Sequence, residues 1–186
     1  MATHTHPLRM AGLLAILSVS VVSVPVRAAG TERIRPQSSL LRAAVSTGVD
    51  RSPTFRMLVD RIEQSDVIVH LTCDRFDTST LRGRTVLTAA NASVRYVRVQ
   101  ILCQQSLETL VSIVAHELRH VVEIASTPGV VDDRSLARLF VAIGFTTCPW
   151  AVREQFETIE ALRVGEAVRR ELMRPEVRLS SGATGR

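Results

Sequence analysis

The chain has 186 residues and a formal net charge of +5, from 23 basic side chains, every one an arginine, against 18 carboxylates. The arginines are scattered among those carboxylates and form no basic block, which argues against a nucleic-acid partner. The cysteines, Cys73, Cys103 and Cys148, lie too far apart along the chain for the close spacing of a thiolate zinc site.

In chain order, Arg9 precedes the apolar run "MAGLLAILSVSVVSVPV" and the small residues of "RAAG", the layout of an export signal. Residues 1–28 are read as that signal, cut between Ala28 and Ala29. The mature chain is then expected outside the cytoplasm, in a periplasm or extracellular, without stable membrane insertion. A retained anchor is the alternative, since the run approaches spanning length. Export implies oxidising surroundings, and Cys73 and Cys103, each closing a strand-like run, are the pair expected to form a disulfide.

Residues 29–52 read as a loosely ordered segment with one short helix around Leu40–Ser46. Ser52 followed by Pro53 marks a helix start, and Phe55, Leu58, Val59 and Ile62 recur at helical spacing, which predicts a helix from Pro53 to about Gln64. "DVIVHLTC" is a β-branched run and predicts a strand. "TVLTAA" and "SVRYVRVQILC" predict two strands joined by a turn at Asn91. In the second of these, Val97, Val99 and Ile101 alternate with Tyr96, Arg98 and Gln100, as a sheet with one wet face requires.

Ser106 can cap the next helix, which carries a broad apolar stripe from Leu107 to Ala125 and stops at "TPG". Asp133 opens a second helix ended by Gly144, and a third is predicted from about Pro149 to Met173. Residues 176–186 read as a disordered tail. The expected architecture is one α+β domain over residues 53–175, a small antiparallel or mixed sheet packed on the motif-bearing helix and two further helices.

Within the striped helix stands "SIVAHELRHVVEIA", Ser112 to Ala125. His116 and His120 are four residues apart on a helix with 3.6 residues per turn, so both imidazoles leave the same side and can converge on one metal. Glu117 lies beside them, close enough to take a proton from a metal-held water without ligating the metal. The bland alternative is a pair of histidines on a helix surface. An E-x-x-H di-iron bundle, suggested by Glu117 and His120, would need a second such unit on another helix, and no His follows His120.

The motif His116-Glu117-Leu118-Arg119-His120 resembles that of the zincins, the zinc metallopeptidases defined by this helix. The resemblance takes in the strand Val94–Cys103, the motif helix and the later helix. It implies Zn2+ held by His116 and His120, Glu117 as general base, and a peptide or protein substrate lying along Val94–Leu102 by strand addition. Glu123 and Ser126 stand where the metzincin branch has its Gly and third His, which excludes that branch. The gluzincin branch takes its third ligand from a Glu on a later helix. Glu154, Glu157 and Glu160 are the candidates, with Glu157 preferred because Phe156, Ile159 and Leu162 would pack that helix on the motif helix. Ala161 occupies the position where that branch often has an Asp that orients a His.

Glu123 shares the histidines' face but lies about 10.5 Å along the helix from His116. It is read as a partner of Arg119 or as a support behind a ligand, with direct ligation as the alternative. His70 and Tyr96 could stabilise developing negative charge, although packing and hydrogen bonding within their strands account for both. Arg163 reads as a solvated helix residue, and the sequon at Asn91 as a turn. The expected function is zinc-dependent peptide-bond hydrolysis. A secreted zinc-binding or interaction domain without activity is the alternative, and a metal-free helical adhesion or inhibitor module a third. The sequence does not specify an oligomeric state.

Overall fold

Four strands build one mixed sheet in the order β1-β2-β4-β3: β1 (Ile34–Pro36), β2 (Val67–Asp74), β3 (Gly83–Ala90) and β4 (Arg95–Leu102). β1 and β4 both run parallel to β2, while β3 returns antiparallel to β4. This computed structural model describes residues 32–77, 80–146 and 156–174. The expected signal, Cys148, Glu154, the start of the expected third helix and the tail lie outside the described residues. The class is α+β, as expected, with a mixed sheet and five helices among the described residues.

Alternation decides which face of the sheet is dry. Val67, Val69 and Leu71 of β2 and Val97, Val99 and Ile101 of β4 are buried, with Leu87 of β3 on the same side. That face is covered by α1 (Ser39–Arg51), α2 (Pro53–Glu63) and α3 (Leu107–Ala125). Beyond α3 the chain forms α4 (Asp133–Ile143), a two-residue pair of β5 (Phe145–Thr146) with β6 (Phe156–Glu157), and α5 (Ile159–Leu172). No helix among the described residues is long and apolar enough to cross a membrane.

α3 is the central element, packed by α1, α2 and α5 on its sides and by the sheet beneath. Leu110, Val111, Val114, Leu118, Val121 and Ile124 are buried almost completely, each worth about 1.5–3 kcal/mol relative to exposure. Ser106 caps it by accepting the Thr109 N–H. α5 approaches it closely at Gly165, where a Cβ would stand 3.3 Å from the His116 Cβ. The bare glycine also lets the Ser112 hydroxyl reach the Gly165 carbonyl at 2.8 Å.

Three expectations are corrected. Residues 29–52 are not a loose entry with a short helix: from Glu32 onward the segment contains β1 and the thirteen-residue α1, capped by Ser38. Its inward face is Leu41, Ala44, Val45 and Gly48, a stripe made half of small residues and so faint as a hydrophobic signal. The third helix begins at Ile159, leaving Phe156 and Glu157 as a strand, because Thr158 is extended and its hydroxyl accepts the Ala161 N–H as an N-cap. Finally, β4 is an interior strand and cannot receive an added strand. The free edge on that side of the sheet is β3.

The Cys73–Cys103 disulfide forms, with Cα atoms 5.4 Å apart. Arg95 locks the far end of α3. Its side chain, 3 % exposed, meets the Asp66 carboxylate with two hydrogen bonds and donates to the carbonyls of Ile124, Ala125 and Thr127. These include carbonyls that a helix C-terminus leaves without partners of its own. Replacing Arg95 by Ala is expected to cost about 3–5 kcal/mol, because a buried partner is withdrawn from several acceptors at once. Urea unfolding of the variant checks this; an unchanged midpoint and slope would show that the arginine is dispensable.

Candidate metal centre

His116, His120 and Glu157 offer three donor atoms that all lie within 4.8 Å of one another. The His116 Nε2 is 3.1 Å from one oxygen of Glu157, and the His120 Nε2 is 3.3 Å from the other. The two rings, with centroids 5.1 Å apart, meet nearly edge to face. Helical periodicity supplies the histidines and a separate element supplies the carboxylate. β6 places Glu157 by pairing it with Phe145 of β5, and the Thr158 N–H donates to its Oε1 at 2.8 Å.

The donor set suits zinc. Two imidazole nitrogens and one carboxylate oxygen are among that ion's usual ligands, and donors about 2.1 Å from a tetrahedral ion stand roughly 3.4 Å apart. The closest separations here lie near that value. A set of three also leaves one position of a tetrahedron open.

The other candidate residues divide clearly. Glu123 is not a donor to the same point. Its Oε2 lies 2.9 Å from the His120 Nδ1, on the far side of that ring, and its Oε1 accepts the Thr158 hydroxyl at 2.9 Å. Arg119 Nε approaches Glu123 Oε1 at 3.4 Å without hydrogen-bond alignment. Glu160 is exposed and pairs with Arg163, away from the histidines. The packing reason for preferring Glu157 holds only for Phe156, which is half-buried against the core: Ile159 and Leu162 are about half exposed, and Ala161, Gly165, Val168 and Leu172 form the buried face of α5. Glu157 reaches the histidines from the strand instead. His70 and Tyr96 are on the sheet face turned away from α3, His70 flanked in register by Arg35 and Arg98, so neither faces the site.

Glu117 is enclosed by β3. Its Oε2 accepts the Thr85 hydroxyl at 2.7 Å, and only 5 % of the residue is exposed. Burial pushes its carboxyl above the ordinary range, opposed by the nearby imidazoles and the Thr85 hydrogen bond. Glu157 goes the other way. Burial pushes it up as well, but hydrogen bonds from His116 and His120 prevail and hold it at about 2. Burial lowers His120, but hydrogen bonds to Glu123 and Glu157 outweigh this and raise it to about 9. Phe140 of α4 stands edge-on to the His120 ring, with centroids 5.3 Å apart, and closes its apolar side.

The sequence reading missed Thr85, Gly83, Phe140 and Thr158. Only Thr158 had a local signal, a Thr three residues before the first buried position of α5. Gly83 is required by contact: a Cβ there would lie 2.4 Å from Glu117 Oε1. Gly83→Ala should cost about 1–3 kcal/mol by overpacking, and much less when Glu117 is also Ala. A double-mutant cycle measured by urea unfolding is expected to give a coupling of at least about 1 kcal/mol; additive effects would mean that strand and carboxylate do not press on each other.

No family model, no curated protein and no solved structure matches this chain.

Proposed function

We propose that this protein is an exported zinc-dependent hydrolase, a gluzincin-like metallopeptidase acting on peptides or proteins. The observation that supports it best is the convergence of His116, His120 and Glu157, with Glu117 next to the first histidine on the same helix. Bound by these three residues, zinc would supply Lewis acidity and lower the pKa of a water toward about 7.

The protein's own groups do the rest. Glu117 takes the proton of the attacking water and delivers it to the departing amine as the peptide C–N bond breaks, giving a carboxylate and an amine. Its raised pKa makes it a better base than a solvated glutamate and a competent acid afterwards. Glu123 holds His120 from behind, in the manner of carboxylates that orient metal-binding imidazoles. An extended substrate would pair with the edge of β3, the strand that touches Glu117, in place of the interior β4.

A second reading, a secreted zinc-binding or interaction domain without activity, has one observation in its favour. Glu117 is 5 % exposed and already bonded to Thr85, so its carboxylate is more enclosed than a proton carrier requires. Elemental analysis of the purified chain should find one zinc per molecule, and His116→Ala and Glu157→Ala should each lower that content. Glu117→Gln should keep the zinc and slow cleavage of a peptide library by about 10²–10⁴-fold. Unaltered cleavage in that variant removes Glu117 from the chemistry. Stoichiometric zinc with no cleavage by the unmodified chain decides for the second reading.

A further inference from the structure

We infer that Thr158 is a positioning residue for the metal centre, holding at once the two carboxylates that bracket His120. The inference rests on the proposal that His116, His120 and Glu157 bind a metal, and assigns a role to a residue outside that ligand set.

Four residues close a ring. The His120 Nδ1 meets Glu123 Oε2 at 2.9 Å, and Glu123 Oε1 accepts the Thr158 hydroxyl at 2.9 Å. The Thr158 N–H donates to Glu157 Oε1 at 2.8 Å, and that oxygen returns to the His120 Nε2 at 3.3 Å. Thr158 is 2 % exposed, so bulk water offers its hydroxyl no alternative partner. The same hydroxyl oxygen accepts the Ala161 N–H at 3.1 Å, as the N-cap of α5.

That second bond fixes the direction of the hydroxyl proton. With one lone pair engaged by Ala161, the proton is left to point at Glu123. Glu123 Oε1 is thereby occupied and its Oε2 faces the imidazole. A carboxylate accepts only, so the His120 Nδ1 carries a hydrogen in either charge state of the ring, and the nitrogen that would give up its proton to a cation is Nε2, which faces Glu157. The protonation assignment follows from this network of partners. One residue thus joins the start of α5 and the support of His120 through its hydroxyl, and the carboxylate of Glu157 through its backbone N–H. Where the gluzincin pattern has an Asp four residues after the ligand Glu, this chain has Ala161. The support comes from Glu123 on α3 and is steadied by the residue next to Glu157.

The test is a titration of the metal-free full chain with Zn2+ against a chromophoric chelator. Thr158→Val keeps the shape and removes the hydroxyl; Thr158→Gly also removes it but costs a helix start only a few tenths of a kcal/mol, which keeps the test usable if the valine variant folds poorly. Both are expected to bind zinc about 10–100-fold more weakly, the usual effect of losing a group behind a ligand. Thr158→Ser should restore affinity to within about threefold of the original. Ser38→Ala, which loses the α1 cap far from the site, should leave the affinity unchanged. Glu123→Gln should weaken binding as well, and combining it with Thr158→Val should add little, because the threonine acts through that carboxylate. Original affinity in both hydroxyl-free variants, or fully additive losses with Glu123→Gln, overturns the role of Thr158 and leaves the metal centre standing. An original chain that takes up no zinc overturns both.

Discussion

A charged group buried on a helix needs a protein partner, and α3 carries three such groups. Glu117, His120 and Glu123 are all buried on it, and each is satisfied from a different element. Thr85 reaches Glu117 from β3, Glu157 meets His120 from β6, and Thr158 meets Glu123 from the start of α5. Left unpaired, each buried charge would cost several kcal/mol. The need to compensate them therefore ties the sheet edge, the short strand pair and the last helix to one stretch of seven residues.

The same arrangement separates two carboxylates that begin alike. Glu117 and Glu157 are both glutamates near the same two imidazoles. Burial dominates for Glu117 and favours its protonated form, whereas two direct hydrogen bonds from the histidines keep Glu157 ionised. One is suited to carry a proton and the other to remain an anion. Environments that push like groups apart in this way are how one site divides acid–base and electrostatic roles.

Much of this was legible in the sequence, for physical reasons that differ by element. The Ser52-Pro53 start, the alternation of β4 and the apolar stripe of α3 are local patterns, and the structure follows them. α1 extends beyond the helix expected at Leu40–Ser46, a length the sequence hides because Ala44 and Gly48 bury little apolar area and leave its stripe faint. The packing pattern that points to Glu157 is met by Phe156 alone, since Ile159 and Leu162 are about half exposed, yet Glu157 is beside both histidines. The strand that carries it is two residues long, too short to show any period. The hydroxyls of Thr85 and Thr158 meet their partners 32 and 35 residues away in the chain, and nothing in their neighbours announces those pairings.

The disulfide between Cys73 and Cys103 spans a separation of 30 residues and encloses all of β3 and β4. The strand that shields Glu117 is thus part of a covalent loop anchored just before α3. In chain-entropy terms, opening a loop of this size gives the unfolded chain about 3–4 kcal/mol of added freedom. Reduction would therefore lower the stability of the whole fold without touching any residue of the cluster, and makes the redox poise of the surroundings a determinant of how much of the chain holds the site together.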